Sequence, residues 1–173
     1  MPSSRILITS QTLASSAASV TFSSIPATYT DLVLRISARC ADTGTYAALK
    51  FTLNSDTSSV YSFTVLYGTG SSALSDRDSA LANARAKFTI NADNATANSF
   101  GSLEIYIPSY LASQNKPISA FGVSETNSAT SYMGANAILW RNTAAITSIQ
   151  MSELFGTNLL TGSSFYLYGI KNS

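Results

Sequence analysis

The chain contains no histidine among its 173 residues. Histidine is the commonest general base, a frequent zinc ligand and the group that activates the nucleophile in serine and many cysteine hydrolases. Its absence excludes these mechanisms and, with them, most hydrolase chemistry. We therefore expect a protein that is not an enzyme and that holds no cofactor.

Cysteine is almost absent as well, since Cys40 is the single example. One cysteine cannot form an internal disulfide, and no thiol cluster exists that could hold a metal ion. We expect Cys40 to be a partly buried and inert thiol.

Charge is scarce, at 11% of the residues and a net value of +1. A typical soluble domain carries roughly 25%. The surface must therefore be polar through hydroxyl and amide groups, which suit permanent contact with other subunits or glycans, although a surface without any partner fits equally well. The scattered lysines and arginines form no basic cluster, so we expect no nucleic-acid partner.

Long hydrophobic runs are also missing, because the longest aliphatic run is Ile6-Leu7-Ile8. This is far too short for a membrane span or for the core of a signal peptide. We expect a protein made in a cytoplasm, with no signal peptide and no membrane partner.

Alternation with a period of two recurs along the chain and predicts β-strands. Leu32, Leu34 and Ile36 share one face of such a segment, for example, and turn-forming residues separate successive segments. The sequence predicts one all-β domain over residues 1–173, an antiparallel, jelly-roll-like β-sandwich of about ten short strands with at most one short helix. The candidate strands are Arg5 to Thr9, Ala18 to Phe22, Asp31 to Ser37, Ala47 to Leu53, Tyr61 to Tyr67, Lys87 to Ile90, Leu103 to Ile107, Ile118 to Glu125, Ala135 to Arg141, Ala145 to Ser152 and Ser164 to Ile170.

The segment from Ser75 to Lys87 departs from this pattern. It is rich in alanine, and it begins with a serine followed three residues later by Asp78, as in a helix capping box. The segment predicts either a short surface helix or a long ordered loop.

Three patterns could carry chemistry, and each has a weak case. Glu104 and Glu125 could form a two-carboxylate glycosidase, but alternation turns Glu104 away from the core. Gly68 to Ala73 fits a glycine-rich dinucleotide turn without the alternating strands and helices that such a site needs. We expect neither site.

Oxygen-bearing side chains could also gather around calcium, although no calcium-loop consensus is present and turns use the same residue types. We expect no metal, and the sequence leaves open whether calcium binds near Asp76 and Asp78. The candidate ligands are Asp76, Asp78, Asn91, Asp93 and Asn94.

The closing segment, Ser164 to Ile170, is apolar on both faces and predicts a strand buried in the fold or in a subunit contact. Phe165 and Leu167 share one face and Tyr166 and Tyr168 the other, but alternation does not say which pair is inside. We assign all four to a candidate assembly interface. The first strand could likewise complete its own sheet or cross into a neighbour, and surface tyrosines with Trp140 could bind sugars.

Segments along most of the chain resemble small structural proteins of tailed bacteriophages. The resemblance lies in Ile25 to Arg35, Phe51 to Asp56, Tyr61 to Gly68, Ile105 to Tyr110, Ala145 to Ile149 and the Gly162-Ser163 turn that leads into the closing strand up to Ile170. It implies a β-rich virion protein and carries no catalytic residue.

We expect the chain to be a capsid decoration or cement protein, because a short single domain lacks the coiled coil or repeat of a fibre shaft. Its partner would be the major capsid protein or another virion protein, and the chain itself would form a homo-oligomer, with a trimer favoured. The alternative is a tail fibre or spike-tip module that binds host surface glycans.

Overall fold

A computed structural model describes residues 5–127 and 131–171. Twelve strands run through this part of the chain, and no helix occurs in it. The strands are β1 (Arg5–Thr12), β2 (Val20–Phe22), β3 (Asp31–Ala38), β4 (Tyr46–Leu53), β5 (Tyr61–Gly68), β6 (Ala73–Leu81), β7 (Ala84–Asn91), β8 (Gly101–Ile107), β9 (Lys116–Ser124), β10 (Tyr132–Trp140), β11 (Ile149–Glu153) and β12 (Ser164–Ile170).

The strands form a sandwich of two antiparallel sheets. An eight-stranded sheet has the order β1-β12-β3-β8-β9-β10-β5-β6, and a four-stranded sheet has the order β2-β11-β4-β7. The pairing is nested, since β1 pairs with β12, β2 with β11, β3 with β8 and β4 with β7. A long hairpin rolled up in this way is the arrangement of a jelly roll, so the predicted fold class is confirmed.

The core lies between the sheets and follows the alternation of the sequence. In β8 the buried residues Leu103, Ile105 and Ile107 alternate with partly exposed Glu104 and Tyr106. Eleven of the twelve strands overlap the candidate strands. The alternation predicts these strands because a strand at the core buries one face and turns the other toward water.

The prediction of a helix or loop over Ser75 to Lys87 is wrong, because this segment supplies β6 and the start of β7. β6 is an edge strand whose residues are almost all exposed, so no apolar alternation marks it. Pairing with β5 holds it in place, and intrinsic propensity does not decide the conformation of such a strand. The described residues accordingly contain twelve strands, and not about ten.

Three glycines allow β7 to lie directly against the eight-stranded sheet. A Cβ on Gly101 would lie 2.5 Å from the Ile90 Cα and 2.6 Å from the Thr89 carbonyl oxygen, and Gly122 and Gly134 meet β7 in the same close way. β7 bulges here, with Phe88 at a positive φ of 61°. Because these three positions carry no side chain, β7 packs directly against the backbone of the eight-stranded sheet at this end of the sandwich.

Trp140 is fully buried, so the expectation of a surface tryptophan for sugar binding is wrong. Its indole Nε1 donates to the Asp56 Oδ2 at 2.8 Å. Burial alone would raise the pKa of Asp56, but hydrogen bonds from Ser58, Trp140 and Asn142 together lower it to about 2. A buried indole satisfied by a loop carboxylate is a structural contact.

Within residues 5–127 and 131–171, no helix is long and apolar enough to cross a membrane.

Candidate functional site on the outer face of the eight-stranded sheet

The outer face of the eight-stranded sheet is the broadest surface that the strands build. The registers of the seven strand pairs align into a continuous row of outward-facing residues across all eight strands. From β1 to β6 this row contains Ser10, Tyr166, Arg35, Glu104, Phe121, Ala135, Leu66 and Ser75.

One half of this face is apolar. Leu66, Phe121 and Met133 are 62%, 51% and 51% exposed. Phe121 and Leu66 flank Ala135 in the central row, and Met133 lies two residues from Ala135 along β10. We call these three residues the apolar patch. Ala135 and Ala137 lie beside the patch on β10, and Glu104 borders it, because Glu104 lies opposite Phe121 on β8. Contiguous exposed apolar surface of this kind is typical of interaction sites.

The other half is an open groove of about 480 Å³ that we call the tyrosine groove. Tyr166 and Tyr168 stack at 6.5 Å between ring centroids. Across the groove, Glu104 Oε2 is bound by Arg35 at 3.0 Å and by Arg5 at 3.1 Å. These side chains are about half exposed, so water screens their charges, and the groove offers aromatic faces beside polar donors and acceptors.

The closing strand β12 divides its four candidate residues between two environments. Phe165 and Leu167 are fully buried in the core, whereas Tyr166 and Tyr168 are half-buried on the outer face. The assignment of Phe165 and Leu167 to an assembly interface is therefore wrong for the folded chain, because the four-stranded sheet already covers them. The tyrosine pair keeps its place on a surface that a partner could reach.

The two candidate glycosidase carboxylates do not meet in one cavity. Glu104 lines the tyrosine groove, whereas Glu125 lines a separate cavity beside Gly68 and Tyr132. Hydrogen bonds from the Asn127 backbone and the Ser131 hydroxyl lower the pKa of Glu125. A glycosidase needs two carboxyl groups facing across one bond, and these two residues do not provide that arrangement.

The candidate calcium ligands are likewise dispersed. Asp76 Oδ2 accepts from Lys87 Nζ at 2.6 Å, and Asp78 lies 3.7 Å from Arg85. Buried Asn91 instead bonds to the hydroxyls of two serines at the far end of β7. Among the described residues, no three His, Cys, Asp or Glu side chains gather in a way that could hold a metal ion.

The glycine-rich segment Gly68 to Ala73 is the turn of the β5-β6 hairpin. Gly70 takes a positive φ of 85°, and the backbone amide of Thr69 donates to the carbonyl of Ser72. The glycine serves a turn between antiparallel strands, which has no helix terminus to bind a phosphate.

Cys40 is completely buried, more so than the sequence suggested. Burial raises the pKa of its thiol to about 11. The thiol is therefore protonated near neutral pH and is a poor nucleophile.

The apolar patch is the main feature that the sequence did not reveal. Phe121 lies between inward-facing Ala120 and Gly122, so the alternation of β9 does place its side chain outside. The sequence cannot show that Leu66, Phe121 and Met133 come together, because they belong to three strands whose order follows from the tertiary fold. Phe155, which is 79% exposed, lies apart from this face, on the loop after β11.

Comparison with known proteins finds no matching family model and no matching curated protein. Among solved structures, the chain is similar to the galectin LEC-6 of Caenorhabditis elegans. The two are 12% identical, the alignment covers 94% of this chain and 96% of the galectin, and the TM-score is 0.39. The chain is an all-β sandwich.

Proposed function

We propose that the chain is a non-catalytic structural protein of a bacteriophage virion, and that it acts as a capsid decoration protein bound to the major capsid shell. The apolar patch carries this proposal. It offers an uncharged contact surface on a rigid sheet, and such a surface binds a protein neighbour through burial.

The surrounding residues support a protein partner. Ala135, Ala137 and Ser119 lie close to the patch on neighbouring strands, so a partner can approach the backbone closely without displacing long side chains. Removing such a surface from water costs little desolvation energy, because few charges have to be stripped of water. Many copies on one particle would add these contacts into strong overall attachment.

The position of the protein in intact virions tests the proposal. We expect a copy number on the scale of the capsid subunits and cryo-EM density over junctions between capsomers. A few copies confined to the tail would overturn the capsid assignment.

The tyrosine groove supports a second candidate, a tail fibre or spike-tip module that binds host glycans. Sugars bind to aromatic faces and to hydrogen-bonding groups beside them, and the groove has both in Tyr166, Tyr168 and the Glu104 carboxylate. Because Trp140 is buried, the stacked Tyr166 and Tyr168 are the aromatic surface on which such a module would bind a sugar.

Titration of the protein with purified host envelope glycans tests this candidate. If it is right, the wild type binds, Tyr168→Ser loses at least tenfold in affinity because a stacking face is gone, and Phe155→Ser, which removes an exposed aromatic ring outside the groove, binds like the wild type. Flat isotherms for the wild type would rule the glycan module out.

A further inference from the structure

The two sheets have four edges, and three of them carry protection against pairing with another chain. β2 has only three residues. The β7 edge is partly covered by the Asn136 side chain, because its Oδ1 accepts a hydrogen bond from the Lys87 backbone N–H at 2.9 Å. β6 carries Asp76 and Asp78 on the side that faces the other sheet. Short edges, covered edges and inward-pointing charges are the common means of preventing edge-to-edge association.

β1 is the exception. It is eight residues long, it pairs with β12 on one side only, and every residue in it is at least partly exposed. Ile6 and Leu7 are 44% and 50% exposed. Its one charged residue is Arg5, whose guanidinium is bound to Glu104. From Ile6 to Thr12 the edge therefore presents an uncharged, partly apolar strand with free backbone groups.

The geometry shows which of these groups are free. Leu13 N–H donates to the Ser163 carbonyl, so the bonds to β12 alternate back along β1 through Gln11 and Thr9. The N–H and C=O groups of Ser10 and Thr12 consequently point away from β12. They form a regular stretch beyond the bulge between Leu7 and Thr9.

We infer that β1 pairs with β1 of a second copy of this chain, antiparallel and about a two-fold axis near Gln11. Ser10 of one copy then lies opposite Thr12 of the other, and four backbone hydrogen bonds form. The occupant is a second copy because the edge is self-complementary: its outward donors and acceptors match their own rotated image, and no like charges meet.

The contrast with β6 strengthens the inference. Both strands end the same sheet, and only β6 carries inward charges. A head-to-tail contact between β1 and β6 would therefore place the carboxylates of Asp76 and Asp78 against the uncharged part of β1. The two-fold contact joins two eight-stranded sheets into one. It concerns how copies of the chain meet each other and does not depend on the proposed virion partner.

Sedimentation of the full-length protein over a range of concentrations tests the pairing. We expect the wild type to reach twice the mass of the 18.2 kDa chain. Ser10→Pro removes one outward donor and no bond to β12, and we expect it to remain a monomer. Ser10→Ala keeps the N–H group and should dimerise like the wild type.

Hydrogen exchange of the wild type gives an independent readout that requires no variant. The Ser10 and Thr12 amides should become protected as the concentration rises, while the Gln11 amide is protected throughout by β12. A wild type that stays monomeric, a trimer, or Ser10 and Thr12 amides that exchange rapidly at every concentration would overturn the inference. Equal loss of association in Ser10→Pro and Ser10→Ala would do the same.

Discussion

Gly101→Ala is expected to lower the free energy of unfolding by about 3 kcal/mol, near the upper end of typical overpacking costs. The new methyl group would lie 2.5 Å from the Ile90 Cα and 2.6 Å from the Thr89 carbonyl oxygen. Both contacts are to backbone, so no side-chain rotation relieves them. The two sheets would have to separate locally, and we expect the melting temperature to fall by roughly 10 °C.

Gly68→Ala is the matched control, because Gly68 is also a strand glycine without a positive φ. Its added Cβ would meet only the Met133 Cγ, at 3.6 Å, which is ordinary contact. We expect a change within about 0.5 kcal/mol. Chemical denaturation of both variants measures the difference in the free energy of unfolding. Equal stabilities would show that β7 does not lie directly against Gly101.

If the chain attaches to capsids through the apolar patch, as proposed, Phe121→Glu should weaken its attachment to capsids that lack the protein by on the order of 100-fold or more. Phe121 is the one aromatic residue of the apolar patch, and it lies in the same row as Leu66. Replacing it removes buried ring area from the contact and forces a carboxylate to lose water there. Its side chain is half exposed in the free chain, so the fold should tolerate the change.

Phe155→Glu places the same charge on an even more exposed phenylalanine outside this face. It should bind capsids like the wild type. Quantitative co-sedimentation with purified capsids, together with a thermal melt of each variant, separates lost attachment from lost folding. Equal binding by Phe121→Glu and the wild type would remove the apolar patch as the contact.

The sequence predicted the fold well where burial imposes a pattern. In β3 and β8, alternating Leu and Ile side chains identify the strands because each face must meet a different environment. It failed at β6, which has no buried face of its own and is held by its bonds to β5. It also placed Trp140 at the surface, because the polar partner that allows burial of the indole, Asp56, is 84 residues away along the chain.

The sequence by itself determined the class of the fold and the scarcity of catalytic groups, since both follow from composition and local alternation. Only the tertiary structure decided that Tyr166 and Tyr168, and not Phe165 and Leu167, face outward. The choice depends on which side of β12 the second sheet covers. The same holds for the apolar patch and the unprotected β1 edge, because strand order and sheet ends arise from long-range pairing that local pattern does not encode.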